Sequence, residues 1–261
     1  MVQKVSDKQL IYYFSKKDIY LFAYHIGDLD DFFFHNCTWY GLFDNDQLTE
    51  LILLFSGLST PTLLVFGFSK ISMLLDEIID DLPDRFYCHY TKGLEKNFLS
   101  KYEMDYFGTH LKMKYQGLPK ELRVKKFSNC TQLTEKHTGE ILTFYEKAYP
   151  DTYFESFMVK TGKYYGIIEN NLIKSIAGVH VYSKKYNIAI LGNIATDLSS
   201  RGLGYATTCV ITLLQSLEAE IKHIGLNVKA DNVAALKLYQ KTGFVPHLEY
   251  EEACFKKKQY F

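Results

Sequence analysis

Two stretches of this chain, WYGLFDND at residues 39–46 and YYGIIENN at residues 164–171, follow one pattern. In each, an aromatic-Gly-apolar-apolar run meets turn-forming residues, and an apolar run resumes beyond them, LTELILLF in the first case and LIKSIAGVHVYS in the second. Strand-like runs on either side of a short polar turn predict a β-hairpin. Tyr40 to Asn45 align with Tyr165 to Asn170 at an offset of 125 residues (165 − 40). The order of elements repeats as well: hairpin, strand, helix, strand, helix, strand. Aromatic hairpins are common, but the repeated order predicts two structurally similar halves. The polar stretch QGLPKE, residues 116–121, is the expected linker, dividing the chain into 1–118 and 119–261.

Within the first half, TLLVFGF (62–68) predicts a third strand. Ser69 is the expected N-cap of a helix carrying Ile71, Leu74, Leu75, Ile78 and Ile79 at helical spacing, closed by Pro83. RFYCHY predicts a strand, followed by a helix near 92–102. In the second half, LRVKKFS reads as a strand and residues 133–150 as an amphipathic helix ended by Pro150. The apolar run NIAILGNIAT (187–196) then leads to a helix face of Cys209, Val210, Leu213, Leu214, Leu217 and Ile221. The alternation makes the fold class α/β, mixed α and β.

Composition narrows the function classes. Thirty basic and thirty acidic residues cancel, so charge gives no argument for nucleic acid or a membrane surface as partner. Five cysteines are widely spaced, with no CxxC pair, which predicts reduced thiols and neither a disulfide framework nor a metal site. The N-terminus lacks a signal-like apolar run and the longest apolar runs, such as residues 51–55, are far below spanning length. A soluble, cytoplasmic protein is the expectation.

The chemistry concentrates at SSRGLGYATT, residues 199–208, between the apolar strand and the helix. A helix N-terminus offers unpaired amides and a partial positive charge, and a loop poor in side chains can wrap a phosphate there. A Walker A loop is excluded because no Gly-Lys-Ser/Thr follows. A dinucleotide fingerprint is excluded because Thr207 stands at the third glycine position, and the 57 residues after Gly204 are too few for the rest of such a fold.

The pattern Arg201-x-x-Gly204-x-Ala206 after a strand resembles the acyl-coenzyme A signature of the GNAT superfamily of N-acyltransferases. LNVKADNVAALKLYQKTGFVP (226–246) is similar to that superfamily's second signature: a splaying strand, an Asn-initiated helix carrying a tyrosine, and Gly-Phe at its end. Together they cover about 140 residues, 121–261. GVHVYSKKYNIAILGNIATD resembles a subgroup in which a degenerate acyltransferase-like half precedes the working one. Leu198 departs from the proline common before the loop.

This resemblance implies two tandem GNAT-like domains, each a mixed, mostly antiparallel twisted sheet flanked by helices, with acetyl-CoA bound to the second and an amine as acceptor. It places the backbone of Ile194, Ala195 and Thr196 on the pantetheine arm and the amides of Gly202, Leu203, Gly204, Tyr205 and Ala206 on the pyrophosphate, with Arg201 as a fixed cation. Asn227, Asn232, Ala235 and Tyr239 complete the implied cofactor contacts, and Tyr239 is the implied acid for the leaving thiolate. Asn232 has a second role open to it, as cap of the helix starting at Val233. Read alone, Tyr239 is equally a packed tyrosine and Arg201 a surface cation, while Gly243 is a C-cap. His180 is the first candidate for general base, with a strand-packing or substrate-lining role as its alternative; Asp197, Glu155 and Glu249 are weaker ones. A non-catalytic acyl-CoA-binding regulatory module is the competing function. The acceptor is unreadable, and the assembly, a homodimer included, is left open.

Overall fold

The structure, a computed structural model, describes residues 1–150 and 152–259. Both predicted hairpins form, and their turns explain the repeat physically. Asn45 and Asp46 have φ of 46° and 61°, and Asn170 and Asn171 have φ of 52° and 59°. Two consecutive left-handed residues make the turn that matches strand twist, and Asn and Asp tolerate that conformation best after glycine.

The first half runs β1 (Val2–Lys4), α1 (Lys8–Ser15), α2 (Ala23–Gly27), α3 (Asp31–Phe34), β2 (Cys37–Asp44), β3 (Gln47–Phe55), β4 (Thr62–Val65), α4 (Ile71–Ile78), β5 (Arg85–Tyr90), α5 (Glu95–Leu99) and β6 (Tyr102–Tyr115). The second half runs α6 (Lys120–Arg123), β7 (Cys130–Gln132), α7 (Thr138–Ala148), β8 (Tyr165–Glu169), β9 (Leu172–Ser183), β10 (Ile188–Thr196), α8 (Tyr205–Glu218), β11 (His223–Lys229), α9 (Val233–Lys241) and β12 (Phe244–Lys257). From β2 and β8 onward the two series match element for element.

Two compact units result, and neither is one continuous segment. The first joins Met1–Lys112 and Val228–Asn232 to the chain from His247 onward; the second joins Met113–Asn227 to Val233–Pro246. The division at 118 and 119 describes the repeat in sequence and is kept as a proposal for the domain boundary. In the first unit, β1, β2, β3 and β4 pair antiparallel in turn, β5 joins β4 in parallel, and β12 closes on β5 antiparallel, with Glu252 opposite His89. In the second, β7, β8, β9 and β10 pair antiparallel and β11 joins β10 in parallel.

Two expectations are corrected. LRVKKFS is not a strand: after Pro119 the chain makes the single helical turn α6, and Gln215 Nε2 donates to the carbonyls of Arg123 at 3.1 Å and Lys125 at 2.9 Å. A side chain thus meets backbone groups that a neighbouring strand would otherwise have to meet. Ser69 is not the cap of α4. The helix begins at Ile71 with Lys70 in the N-cap position, and the Glu50 carboxylate accepts from the amides of Phe68 (2.7 Å) and Lys70 (2.8 Å).

The sheet of the first unit has a dry face and a polar one. On one side Phe86, Cys88, Leu63, Val65 and Phe255 pack with Leu74, Leu75 and Ile78 of α4 and Phe98 of α5. On the other, Glu252 accepts hydrogen bonds from Tyr87 and Tyr250, with His89 Nε2 at 3.7 Å and His110 Nε2 at 3.4 Å. Burial opposes this charge, yet the two imidazoles and the two phenols hold the carboxyl below its ordinary range. Lys112 lies 4.4 Å from the centroid of Phe66 and 4.9 Å from that of Tyr250, and burial brings its ammonium down to about 7.

His25 is fully buried against Phe22, and neither ring nitrogen has a hydrogen-bond partner among the described residues. Burial, and then the nearby Lys112, lower its pKa to about 3. The unfolded chain, with an ordinary histidine near about 6.5, therefore binds one more proton between those values. Stability from this group is complete above that range and falls as pH drops, by about 2 kcal/mol between pH 6.5 and 5. Urea melts of His25→Phe should lose that part of the acid-side slope; an unchanged slope would mean that His25 is not held neutral.

Candidate active site

The site builds from one pair of glycines. Gly178 on β9 lies opposite Gly192 on β10. A Cβ at Gly178 would meet the Tyr164 ring at 2.3 Å, and one at Gly192 would meet the His180 ring at 2.4 Å. Each glycine vacates the space that a ring occupies, which fixes where His180 sits.

The next residue, Asn193, has φ of 54°, and the register of β10 against β9 shifts between Gly192 and Ala195. On its other side β10 pairs with β11 only from Ile188 opposite His223 to Leu191 opposite Leu226. Ala195 and Thr196 are thus held by β9 alone among the described pairings, Ile194 falls within the register shift, and all three are partly exposed. The Ser175 hydroxyl lies 3.0 Å from the Ala195 carbonyl and 2.9 Å from the Thr196 hydroxyl, securing this segment to β9. Backbone amides and carbonyls that face a missing strand partner are what an extended ligand arm can pair with.

Beyond Thr196 the loop reaches α8. Gly202 and Gly204 have φ of 79° and 81°, and a Cβ at either meets nothing within 4 Å. Glycine is needed here for conformation, and the space beside it is open. Gly204 occupies the N-cap position of α8 with no side chain capping the helix, so amides of its first turn remain available. Arg201 and Leu203 are exposed; Tyr205 is tied back to Glu169 by a 2.5 Å hydrogen bond. Ala206 follows within the first turn.

This is where the two halves part. In the first, the loop before α4 carries the same kind of amides, but Glu50, 1% exposed, spends its carboxylate on them, and a Cβ at Gly67 would lie 2.3 Å from Glu50 Oε2. In that half β4 and β5 also stay paired through Val65 and Tyr90, and Thr91 N donates to the Val65 carbonyl.

Tyr239 on α9 is buried, its ring edge-on to Phe244 at 5.9 Å, and burial raises its phenol well above the ordinary value. Gly243, at φ 95°, ends α9, and a Cβ there would strike the Gly117 carbonyl at 2.1 Å, so the C-cap reading gains a packing reason. Asn227 follows the last position at which β11 pairs with β10, and its Nδ2 is buried without a partner among the described residues. Asn232 precedes α9 at the cap position and falls in the 228–232 stretch of the first unit, while Ala235 lies on α9. Of the weaker base candidates, Glu155 and Glu249 are exposed. Asp197 accepts from the Ser199 hydroxyl, which holds its carboxyl below the ordinary range.

His180 is half-buried, with Nε2 2.9 Å from Asn193 Oδ1. The residues around it were not among those expected from the sequence. Asn193, Tyr164, Tyr145 and Thr152 form one network through the Asn193 amide and carbonyl. The signal was an asparagine inside an otherwise apolar strand, in GNIAT. Among the described residues no group of three or more His, Cys, Asp or Glu is placed to hold a metal, and no helix is long and apolar enough to cross a membrane.

Removing the Glu50 carboxylate should leave the Phe68 and Lys70 amides without their acceptor. Glu50→Ala is expected to cost about 1–3 kcal/mol per orphaned group in urea unfolding, against little change for the exposed control Glu249→Ala.

Residues 130–244 match the sequence profile of the Acetyltransferase (GNAT) family. No curated protein matches the chain. Among solved structures, a Drosophila protein is similar with a TM-score of 0.72 at 10% identity, over 98% of each chain. A GNAT-family acetyltransferase from Colwellia psychrerythraea gives 0.60 at 12% identity, over 99% of this chain and 100% of the other. A tandem GNAT protein from the clavulanic acid biosynthesis pathway gives 0.58 at 8% identity, over 98% of each. These likenesses establish the fold: mixed α and β, with mostly antiparallel strands flanked by helices.

Proposed function

We propose, from the match of residues 130–244 to the Acetyltransferase (GNAT) family, that the protein transfers an acetyl group from acetyl-CoA to an amine. The observation that carries the reading is the parting of β10 from β11 after Leu191 and Leu226, directly before a glycine loop at an uncapped helix N-terminus. The residues present suit this cosubstrate. Ile194 to Thr196 offer backbone groups to a pantetheine arm; the amides from Gly202 to Ala206, with Arg201, offer donors and charge to a pyrophosphate; Asn227 Nδ2 offers a buried donor.

In the reaction the amine lone pair forms the new C–N bond at the thioester carbon, and an amide near Ala195 or Thr196 stabilises the oxyanion. Collapse breaks the C–S bond and leaves the electron pair on sulfur. The nitrogen's proton goes to His180, while Tyr239 donates a hydrogen bond to the developing thiolate, which takes its proton from solvent on release. A thiol titrates near about 8.5, far below a buried phenol. Tyr239 therefore acts mainly as a hydrogen-bond donor to the developing thiolate, because full transfer to sulfur is uphill. We read the first half as a degenerate relative, its corresponding amides occupied by Glu50.

Calorimetric titration with acetyl-CoA tests the reading. Saturable binding by the wild type is expected, and Gly204→Glu, which sets a carboxylate at the pyrophosphate position in a strained left-handed conformation, should abolish it while the protein stays folded. Absence of wild-type binding would overturn the reading. With an amine panel and a thiol-release assay, Tyr239→Phe should lower kcat about 10- to 100-fold with little change in acetyl-CoA affinity. Binding without release of thiol to any amine would favour the regulatory module.

A further inference from the structure

Two cysteines that lie 79 residues apart in the chain meet in the second unit. Cys130 opens β7, opposite Ile167 of β8, and Cys209 lies in the second turn of α8, which packs on the same strands. Their sulfurs are 3.9 Å apart. Cys130 is half-buried and Cys209 fully buried. Cys37 and Cys254 are half-buried too, so exposure alone does not single Cys130 out; among the described residues neither of them has a second thiol in hydrogen-bond reach. The pair also divides its roles. The hydrogen bond shared between the sulfurs lowers the Cys130 thiol below its ordinary value and raises that of Cys209, which burial raises further. A thiolate is the form that attacks an oxidant, so Cys130 meets it first and Cys209 resolves the product.

We propose that Cys130 and Cys209 form a site of oxidative modification, a dithiol that hydrogen peroxide closes to a disulfide between β7 and α8, and that the closed form binds acetyl-CoA more weakly. The effect on binding rests on the acetyltransferase reading; the cross-link rests on geometry alone. The Cys130 sulfur bonds to one peroxide oxygen, the O–O bond breaks, and the other oxygen leaves with the thiol's proton as water. The sulfenic acid that remains faces Cys209. As the S–S bond forms its S–O bond breaks, and the hydroxyl leaves with the Cys209 proton as a second water. Peroxide is reduced and the two thiols are oxidised by two electrons, and Cys209 needs no access to solvent.

Binding responds because Cys209 touches both sides of the candidate site. Its helix carries the uncapped N-terminus proposed for the pyrophosphate, and its sulfur is 3.7 Å from the carbonyl of Ser175, whose hydroxyl secures Ala195 and Thr196. Shortening 3.9 Å to the about 2.05 Å of a disulfide draws Cys209 toward β7. The start of α8 has room to follow, since it is uncapped and open space lies beside Gly202 and Gly204, whereas Cys130 is held in the ladder with β8. The helix amides and the 195–196 segment then lose the mutual spacing that one extended ligand needs.

Peptide mapping of the full chain decides the site. After hydrogen peroxide and alkylation of the remaining thiols, a Cys130–Cys209 cross-linked peptide released by dithiothreitol is expected, with Cys37 and Cys254 alkylated. Cys130 oxidised to sulfinic acid without the cross-link, or both cysteines recovered as alkylated thiols, overturns the proposal. Cys130→Ser should leave Cys209 alkylatable once unfolded; a Cys209 still oxidised in that variant overturns the order of attack, and should the variant fail to fold, the wild-type map decides alone. By calorimetry the oxidised wild type should bind acetyl-CoA about 5-fold or more weakly than the reduced form, with dithiothreitol restoring it; equal affinity overturns the effect on binding. The acetyltransferase reading fails separately, when the reduced wild type binds no acetyl-CoA, and the cross-link is then still decided by the map.

Discussion

The candidate site of the second unit depends on a single residue's backbone, Asn193 at φ 54°. A left-handed residue in the interior of a strand costs conformational energy and persists only where its surroundings over-determine it. Here they do: the Tyr145 hydroxyl takes its carbonyl, the Tyr164 oxygen takes its amide nitrogen, and His180 and Thr152 meet its amide oxygen. The bulge that results lies where β10 and β11 cease to pair, so the device that seats the imidazole also leaves Ile194 to Thr196 without a partner from β11. Seating an imidazole and unpairing a strand edge are thus two consequences of one strained peptide.

The two halves differ at one helix N-terminus. Both place a loop and a helix N-terminus after the parallel-paired strand. In the second half that terminus is uncapped, and its loop glycines stand beside open space. In the first, a buried carboxylate from the hairpin strand β3 satisfies the corresponding amides, as an anion would. An internal ligand of this kind is bound at no translational cost, which no external phosphate can match. Stability in the first half is bought with the groups that binding would use.

The first unit carries its own polar interior on the sheet face away from the dry core. Tyr87 and Tyr250 donate to Glu252, with His89 and His110 beside its carboxylate, across β5, β6 and β12, and Lys112 is set among aromatic rings. Because β12 follows the other described strands in sequence yet pairs with β5, this interior closes only when β12 is in place. The Coulombic attraction within it offsets the desolvation of its members, and satisfied hydrogen bonds specify a single register for the strand.

Local sequence carried much of this. The hairpins were legible because Asn-Asp and Asn-Asn turns are chemically marked, and the glycine loop because only glycine tolerates its backbone where a helix begins. The apolar faces of α4 and α8 follow from periodicity, which depends on near neighbours alone. What the sequence could not express were partners distant along the chain. Glu50 displaced Ser69 from the capping role across 18 residues, and Gln215 met the carbonyls that a strand at LRVKKFS would have needed. The seat of the Asn193 amide hangs on Tyr164, Met158 and Thr152, none of them near it in sequence. Turn type and amphipathicity are properties of a few consecutive residues and were determined by the sequence as read; which buried donor meets which acceptor is decided only when the strands have found their register, and that the tertiary structure alone supplied.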